Sequence, residues 1–166
     1  MNQAVLTPSI IDVEASGFGA HSYPIEIGVV RNDGQRYCRL LKPFDDWCFW
    51  ESSAQQVHGI SRQQLFECGI DGVTMCRELN EFLGDTTVYS DGWVVDSPWV
   101  VSLYERASAN MSFHISPLEM ILSEPQMQKW HDTKHRVIDQ LKLTRHRASN
   151  DALIIQQTYC ITRNVL

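Results

Sequence analysis

Near the N-terminus the apolar positions fall into three short strand-like runs, Pro8 to Ala15, Ile25 to Val30 and Tyr37 to Leu41, the first two rich in β-branched residues. A Gly-containing loop, SGFGAHSYP, separates the first two. The turn signal Asn32-Asp33-Gly34 separates the last two and predicts that they pair as a hairpin. An aromatic loop, FDDWCFWESS, follows, and Ser61 is then a cap for a short helix over RQQLFEC that stops at Gly69. Val73, Cys76, Leu79, Phe82 and Leu83 recur at helical spacing up to Gly84, and TTVYS reads as a fourth strand. DSPWVVSLYERAS predicts a helix that Asp96 caps, with Pro98 in its first turn and Trp99, Val100, Leu103 and Tyr104 on its apolar side. A short extended piece, FHIS, leads to a helix marked by Met127, Trp130, Val137, Ile138 and Leu141, and RASNDALIIQQTYCIT forms the last helix. Three strands, helices, a strand and more helices predict an α/β fold, a mixed sheet flanked by helices. With no repeat, low-complexity tract or linker, residues 1–166 read as a single domain.

Composition narrows this further. At 166 residues, 43% hydrophobic and 20% charged, the chain has enough apolar surface for one sizeable core. No apolar run approaches the roughly 20 residues of a membrane span. The stretch MNQAVLTPS lacks the basic-then-apolar layout of a signal peptide, so a cytoplasmic location and no membrane partner are expected. Five cysteines, Cys38, Cys48, Cys68, Cys76 and Cys160, contain no C-x-x-C pair, and we read them as reduced, mostly buried thiols. The net charge of −6 argues against a long, generally basic nucleic-acid groove. Between Pro125 and Arg147, however, six cations (Lys129, Lys134, Arg136, Lys142, Arg145, Arg147) face two acids, a local +4 that leaves −10 for the remainder. That segment is either a solvated helix face or an anion-binding one.

The candidate chemistry begins with Asp12 and Glu14. Alternation along a strand points both to one face, opposite Ile11, Val13 and Ala15. Two carboxylates that close call for a cation between them, and a hard, oxygen-preferring ion such as Mg²⁺ or Mn²⁺ is suited to them. An exposed edge strand with an acidic outer face is the competing reading. At the other end of the chain, His146 precedes a helix and Asp151 lies within it, and Asp96 opens a helix directly after the fourth strand. HDTKH raises a separate zinc reading, because His131 and His135 share a helical face at i and i+4.

Taken in order, D-x-E-x-x-G (Asp12, Glu14, Gly17), VHGI (Val57 to Ile60), Asp96 and H-x-x-x-x-D (His146, Asp151) resemble the DEDDh-type 3′-to-5′ exonucleases, a family that includes proofreading subunits, oligoribonucleases and ribonuclease T. The resemblance covers about Ile10 to Gln157. It implies a ribonuclease-H-like fold with a mixed five-stranded sheet. By the same resemblance, Asp12, Glu14, Asp96 and Asp151 would hold two divalent cations, Mg²⁺ or Mn²⁺, roughly 3.5–4 Å apart, with His146 as the general base. Ala15, Ser16, Gly17 and Phe18 would line the pocket of the 3′-terminal nucleotide, Phe18 as a stacking wedge. Lys134 and Arg136 would track phosphates upstream of the cleaved bond. The chain departs from the family pattern in two places. Ala15 and Ser16 follow the Glu where relatives often carry Thr, and Gly92 stands where an Asn is common, next to an Asp91 that competes with Asp96 as third acid. Single-stranded nucleic acid is the expected partner, with RNA or short oligonucleotides favoured. A non-catalytic binding module on the same fold is the alternative. Trp47, Phe49 and Trp50 either close the core or offer a homodimer contact.

Overall fold

The computed structural model describes residues 6–164; Met1 to Val5, part of the stretch read above for a leader, lie outside the described residues. Five strands form one sheet in the order β3-β2-β1-β4-β5, over Ser9–Ala15 (β1), Pro24–Val30 (β2), Arg36–Leu40 (β3), Thr87–Ser90 (β4) and His114–Pro117 (β5). The first three are antiparallel, and β4 and β5 run parallel to β1. The sheet is therefore mixed, as expected, and β1 sits inside it, which removes the edge-strand reading of Asp12 and Glu14.

Among the described residues six α-helices accompany the sheet: Ser52–His58 (α1), Arg62–Cys68 (α2), Gly72–Leu83 (α3), Trp93–Arg106 (α4), Glu124–Leu141 (α5) and Ala148–Asn164 (α6). Ile11, Val13, Ile27 and Val29 pack with Met75, Leu79, Val100 and Leu103 of α3 and α4 on one side. Ile10 and Val30 pack with Ala152, Ile155 and Tyr159 of α6 on the other. Alternation along the strands thus supplies both cores, and the acids share the α6 side. Among the described residues no helix is long and apolar enough to cross a membrane.

Four expectations change. The helix α1 lies where a loop was read up to Ser53, since only its Ala54 and His58 are buried and no apolar stripe marks it. The helix α4 starts at Trp93, capped by Gly92, so Asp96 sits in its first turn rather than at the cap and Pro98 lies inside the helix. The basic segment is not one helix: α5 ends at Leu141, Lys142 turns left-handed, and Arg145 and Arg147 belong to the loop beyond. The thiols are mostly not buried either, because Cys38, Cys48 and Cys68 are exposed and only Cys76 is buried. Trp47, by contrast, stacks on Tyr23 at 5.2 Å and packs edge-on to Phe44, and Phe49 and Trp50 pack on the same small core as Tyr23 and Leu65. That is core closure.

Candidate active site

The site follows from one feature of β2. In the β1–β2 register Asp12 lies opposite Gly28 and Glu14 opposite Glu26, so the four share a face. A Cβ on Gly28 would stand 2.1 Å from Ser149 N and 2.3 Å from Ala148 C, which means that the first turn of α6 rests directly on the strand. Glu26, 1% exposed, holds that turn in place. Its carboxylate accepts the Ala148 N–H at 2.7 Å and the Arg147 guanidinium at 2.6–3.1 Å. Acceptance of a free helical N–H by an acid is a favourable cap, supplied here from a distant strand. The same docking carries Asp151, one turn into α6, over the acids of β1.

Ligand atoms of Glu14, His146 and Asp151 all lie within 4.8 Å of one another, the only such group of His, Cys, Asp or Glu among the described residues. Asp12 and Asp96 stand outside that trio yet within its field. Burial holds the Asp12 carboxyl well above its ordinary value, and Asp96, Glu14, Asp151 and Asp91 push it further. Glu14 is pushed up to about 8, mainly by burial and then by Asp151, Glu26 and Asp96, with Arg147 opposing. Asp96, 3% exposed, is also raised by burial, against a hydrogen bond of 2.6 Å from the Ser90 hydroxyl. None of the described ion pairs falls on Asp12, Glu14 or Asp96. Three buried or partly buried carboxylates, Asp12, Glu14 and Asp96, with no ion-pair partner among the described residues form a donor set of hard oxygens, which fits a divalent ion such as Mg²⁺ or Mn²⁺.

This electrostatic strain has a measurable sign. A carboxyl whose pKa is raised on folding binds its proton more tightly in the native state, so stability falls as pH rises between the unfolded and folded values. For Glu14 that window runs from 4.5 to about 8. In EDTA, the melting temperature is expected to fall across that range, and added Mg²⁺ or Mn²⁺ to flatten the decline. A melting temperature that rises with pH in EDTA would contradict the arrangement.

Asp91 forms an ion pair of 2.9 Å with Lys134 of α5, and of the neighbouring acids Asp96 acts most strongly on Asp12 and Asp91 least. Arg136 donates to the Thr133 hydroxyl. His146, half-exposed, has a left-handed backbone (φ 58°) and donates its main-chain N–H to Asp151 at 3.1 Å. Ser16 is fully buried, and its hydroxyl accepts the Tyr23 N–H at 3.1 Å, so it is committed to bracing the loop between β1 and β2. A Cβ on Gly17 would come within 2.7 Å of the Phe49 ring and 2.8 Å of the Glu51 carboxyl carbon, a close approach that glycine satisfies.

Beside the acids lies a cavity of about 200 Å³, lined by Glu14, Ala15, Gly17, Phe18, Val57, His58, Trp99 and His146 among others. Phe18 is 71% exposed at its rim, so its ring is not part of the core. His58 is 5% exposed; its Nδ1 accepts the Ile60 N–H at 3.0 Å, which leaves the proton of the neutral ring on Nε2. That nitrogen makes no well-formed hydrogen bond among the described residues and has the Ala15 main chain beside it. Burial lowers its pKa and keeps the ring neutral. The VHGI motif flagged this residue without giving it a place, and nothing in the sequence marked Trp99 or Glu26. His131 and His135, the zinc reading, bring their Nε2 atoms to 3.1 Å on an exposed face of α5, with no third donor grouped with them among the described residues.

The architecture is that of a ribonuclease-H-like α/β fold, with acids gathered at one end of the central strands. Solved structures of the same fold include E. coli exonuclease I in complex with a dA16 oligonucleotide (12% identity, TM-score 0.72), its zinc-ion-bound form in complex with single-stranded DNA (11%, 0.73) and exonuclease I from Methylocaldum szegediense (13%, 0.72). Each match covers 94% of this chain and 40% of the other, so the chain spans about two fifths of these neighbours. No family profile and no curated protein sequence matches the chain.

Proposed function

We propose that the chain is a metal-dependent exonuclease that releases nucleotides from the 3′ end of single-stranded nucleic acid. One observation carries this reading: Asp12, Glu14, Asp96 and Asp151 come from three elements into one electrostatic cluster, with His146 against Glu14 and Asp151. These four carboxylates would hold divalent ions, which when bound would lower the pKa of the attacking water and stabilise the leaving oxygen. His146, on a half-exposed loop, would take the proton of that water as general base. The adjoining cavity would receive the terminal nucleoside, with Phe18 and Trp99 as apolar surfaces for the base and His58 Nε2–H as a donor to it. Main-chain groups at Ala15 and Gly17 would approach the sugar, whereas the Ser16 side chain is committed inside the protein.

The lean toward RNA read from the sequence gains no support. The similar exonuclease I structures carry dA16 and dT13, and on that basis single-stranded DNA becomes the first substrate to assay, with RNA beside it. Lys134 and Arg136 keep a proposed role along the upstream phosphates, with Lys134 shared between that role and Asp91.

Kinetics of His146→Ala test the role assignment. The variant is expected to lose roughly 10²–10⁴-fold in kcat while calorimetric Mn²⁺ binding changes little, the pattern of a lost proton acceptor. A variant that loses metal binding and turnover together would place His146 among the ligands instead. A wild type that takes up no Mn²⁺ would favour a binding module.

A further inference from the structure

Asp151 is the acid of the cluster whose oxygens are both engaged. Arg145 Nε donates to Oδ1 at 2.9 Å in an ion pair whose side chains are 34% and 13% exposed, and the His146 main-chain N–H donates to Oδ2 at 3.1 Å. A carboxylate has about four lone-pair sites, so the neutral N–H leaves room for another ligand. The guanidinium is different, because its full positive charge stands where a second cation would approach Oδ1, and like charges repel strongly at a part-buried site. The loop is shaped around this contact: Lys142 and His146, on either side of Arg145, both adopt left-handed backbone (φ 49° and 58°), which side-chain-bearing residues adopt at a cost. A planar guanidinium matches carboxylate and phosphate equally well, and Arg145 directly precedes His146.

Resting on the reading of the site given above, we propose that Arg145 is a cation that changes partner. It rivals a divalent ion for Asp151 and, once displaced, binds the substrate phosphate beside His146. Arg145 therefore sets the metal concentration at which the site loads and contributes to substrate affinity.

The test is Arg145→Gln, with Arg145→Lys as the charge-retaining companion. Calorimetric titration with Mn²⁺ alone is expected to show binding about three- to fivefold tighter in the Gln variant, the scale of one part-exposed ion pair, with Lys in between. KM for a single-stranded oligonucleotide at saturating Mn²⁺ is expected to rise by about tenfold. A residue that merely braced Asp151 would give the opposite sign, weaker metal binding on removal. Metal affinity that is unchanged or weakened, or a KM that does not move, overturns the proposal. If the wild type binds no Mn²⁺ at all, the functional reading of the site fails, which is a distinguishable result.

Discussion

Asp12→Asn is expected to abolish metal-dependent cleavage and at the same time to raise the melting temperature of the protein in EDTA. The side chains have nearly the same shape, so packing beside Gly28 is kept. The change removes a buried carboxyl that Asp96, Glu14, Asp151 and Asp91 all make costly to ionise. Relief of that repulsion stabilises the chain, and each kcal/mol gained shows as about 2–4 °C for a protein of this size. Losing a metal ligand costs several kcal/mol of transition-state stabilisation, a rate loss of about a thousandfold or more. Melting curves in EDTA together with a cleavage assay on one preparation check both halves. A variant that loses activity and stability together would indicate a structural acid, contrary to this account.

Gly28→Ala is expected to be the most damaging substitution outside the acids. The added methyl meets main-chain atoms of Ala148 and Ser149 at 2.1–2.6 Å, and backbone at a helix start cannot swing aside as a side chain can. Either α6 lifts off the strand, which breaks the Glu26 bond to the Ala148 N–H, or the strand bends. Overpacking of this kind costs about 3 kcal/mol, a fall of on the order of 10 °C in melting temperature. Activity should fall more than stability, by about a hundredfold, because Asp151 and His146 ride on the displaced helix start. Gly34→Ala is the control. Gly34 is left-handed (φ 84°) but surrounded by open space, so it costs only about 1–2 kcal/mol and leaves turnover unchanged.

Much of this was legible in the sequence because local patterns decide it. Strand alternation put Asp12 and Glu14 on one face, the turn at Gly34 set the β2–β3 hairpin, and Ser61 caps α2 with a full capping box. Two helix starts were not legible. The helix α1 has no side-chain cap and only two buried residues, and α4 begins with Trp93, Val94 and Val95, which face solvent and so carry no periodic signal. Asp96-Ser97-Pro98 then imitated a cap four residues too late. In the site, what escaped depends on contacts between distant segments. Arg147 meets Glu26 across 121 positions, and Lys134 takes Asp91 across 43. Neither pairing leaves a local trace.

The most direct test of the central claim is a time course of 5′-labelled single-stranded DNA and RNA of matched sequence with Mg²⁺, Mn²⁺ or EDTA, and with Asp12→Asn beside the wild type. The account predicts a ladder that shortens one nucleotide at a time from the 3′ end, only with metal and only in the wild type. Intact oligonucleotide under every metal, or cleavage that persists in EDTA or in the variant, would contradict it.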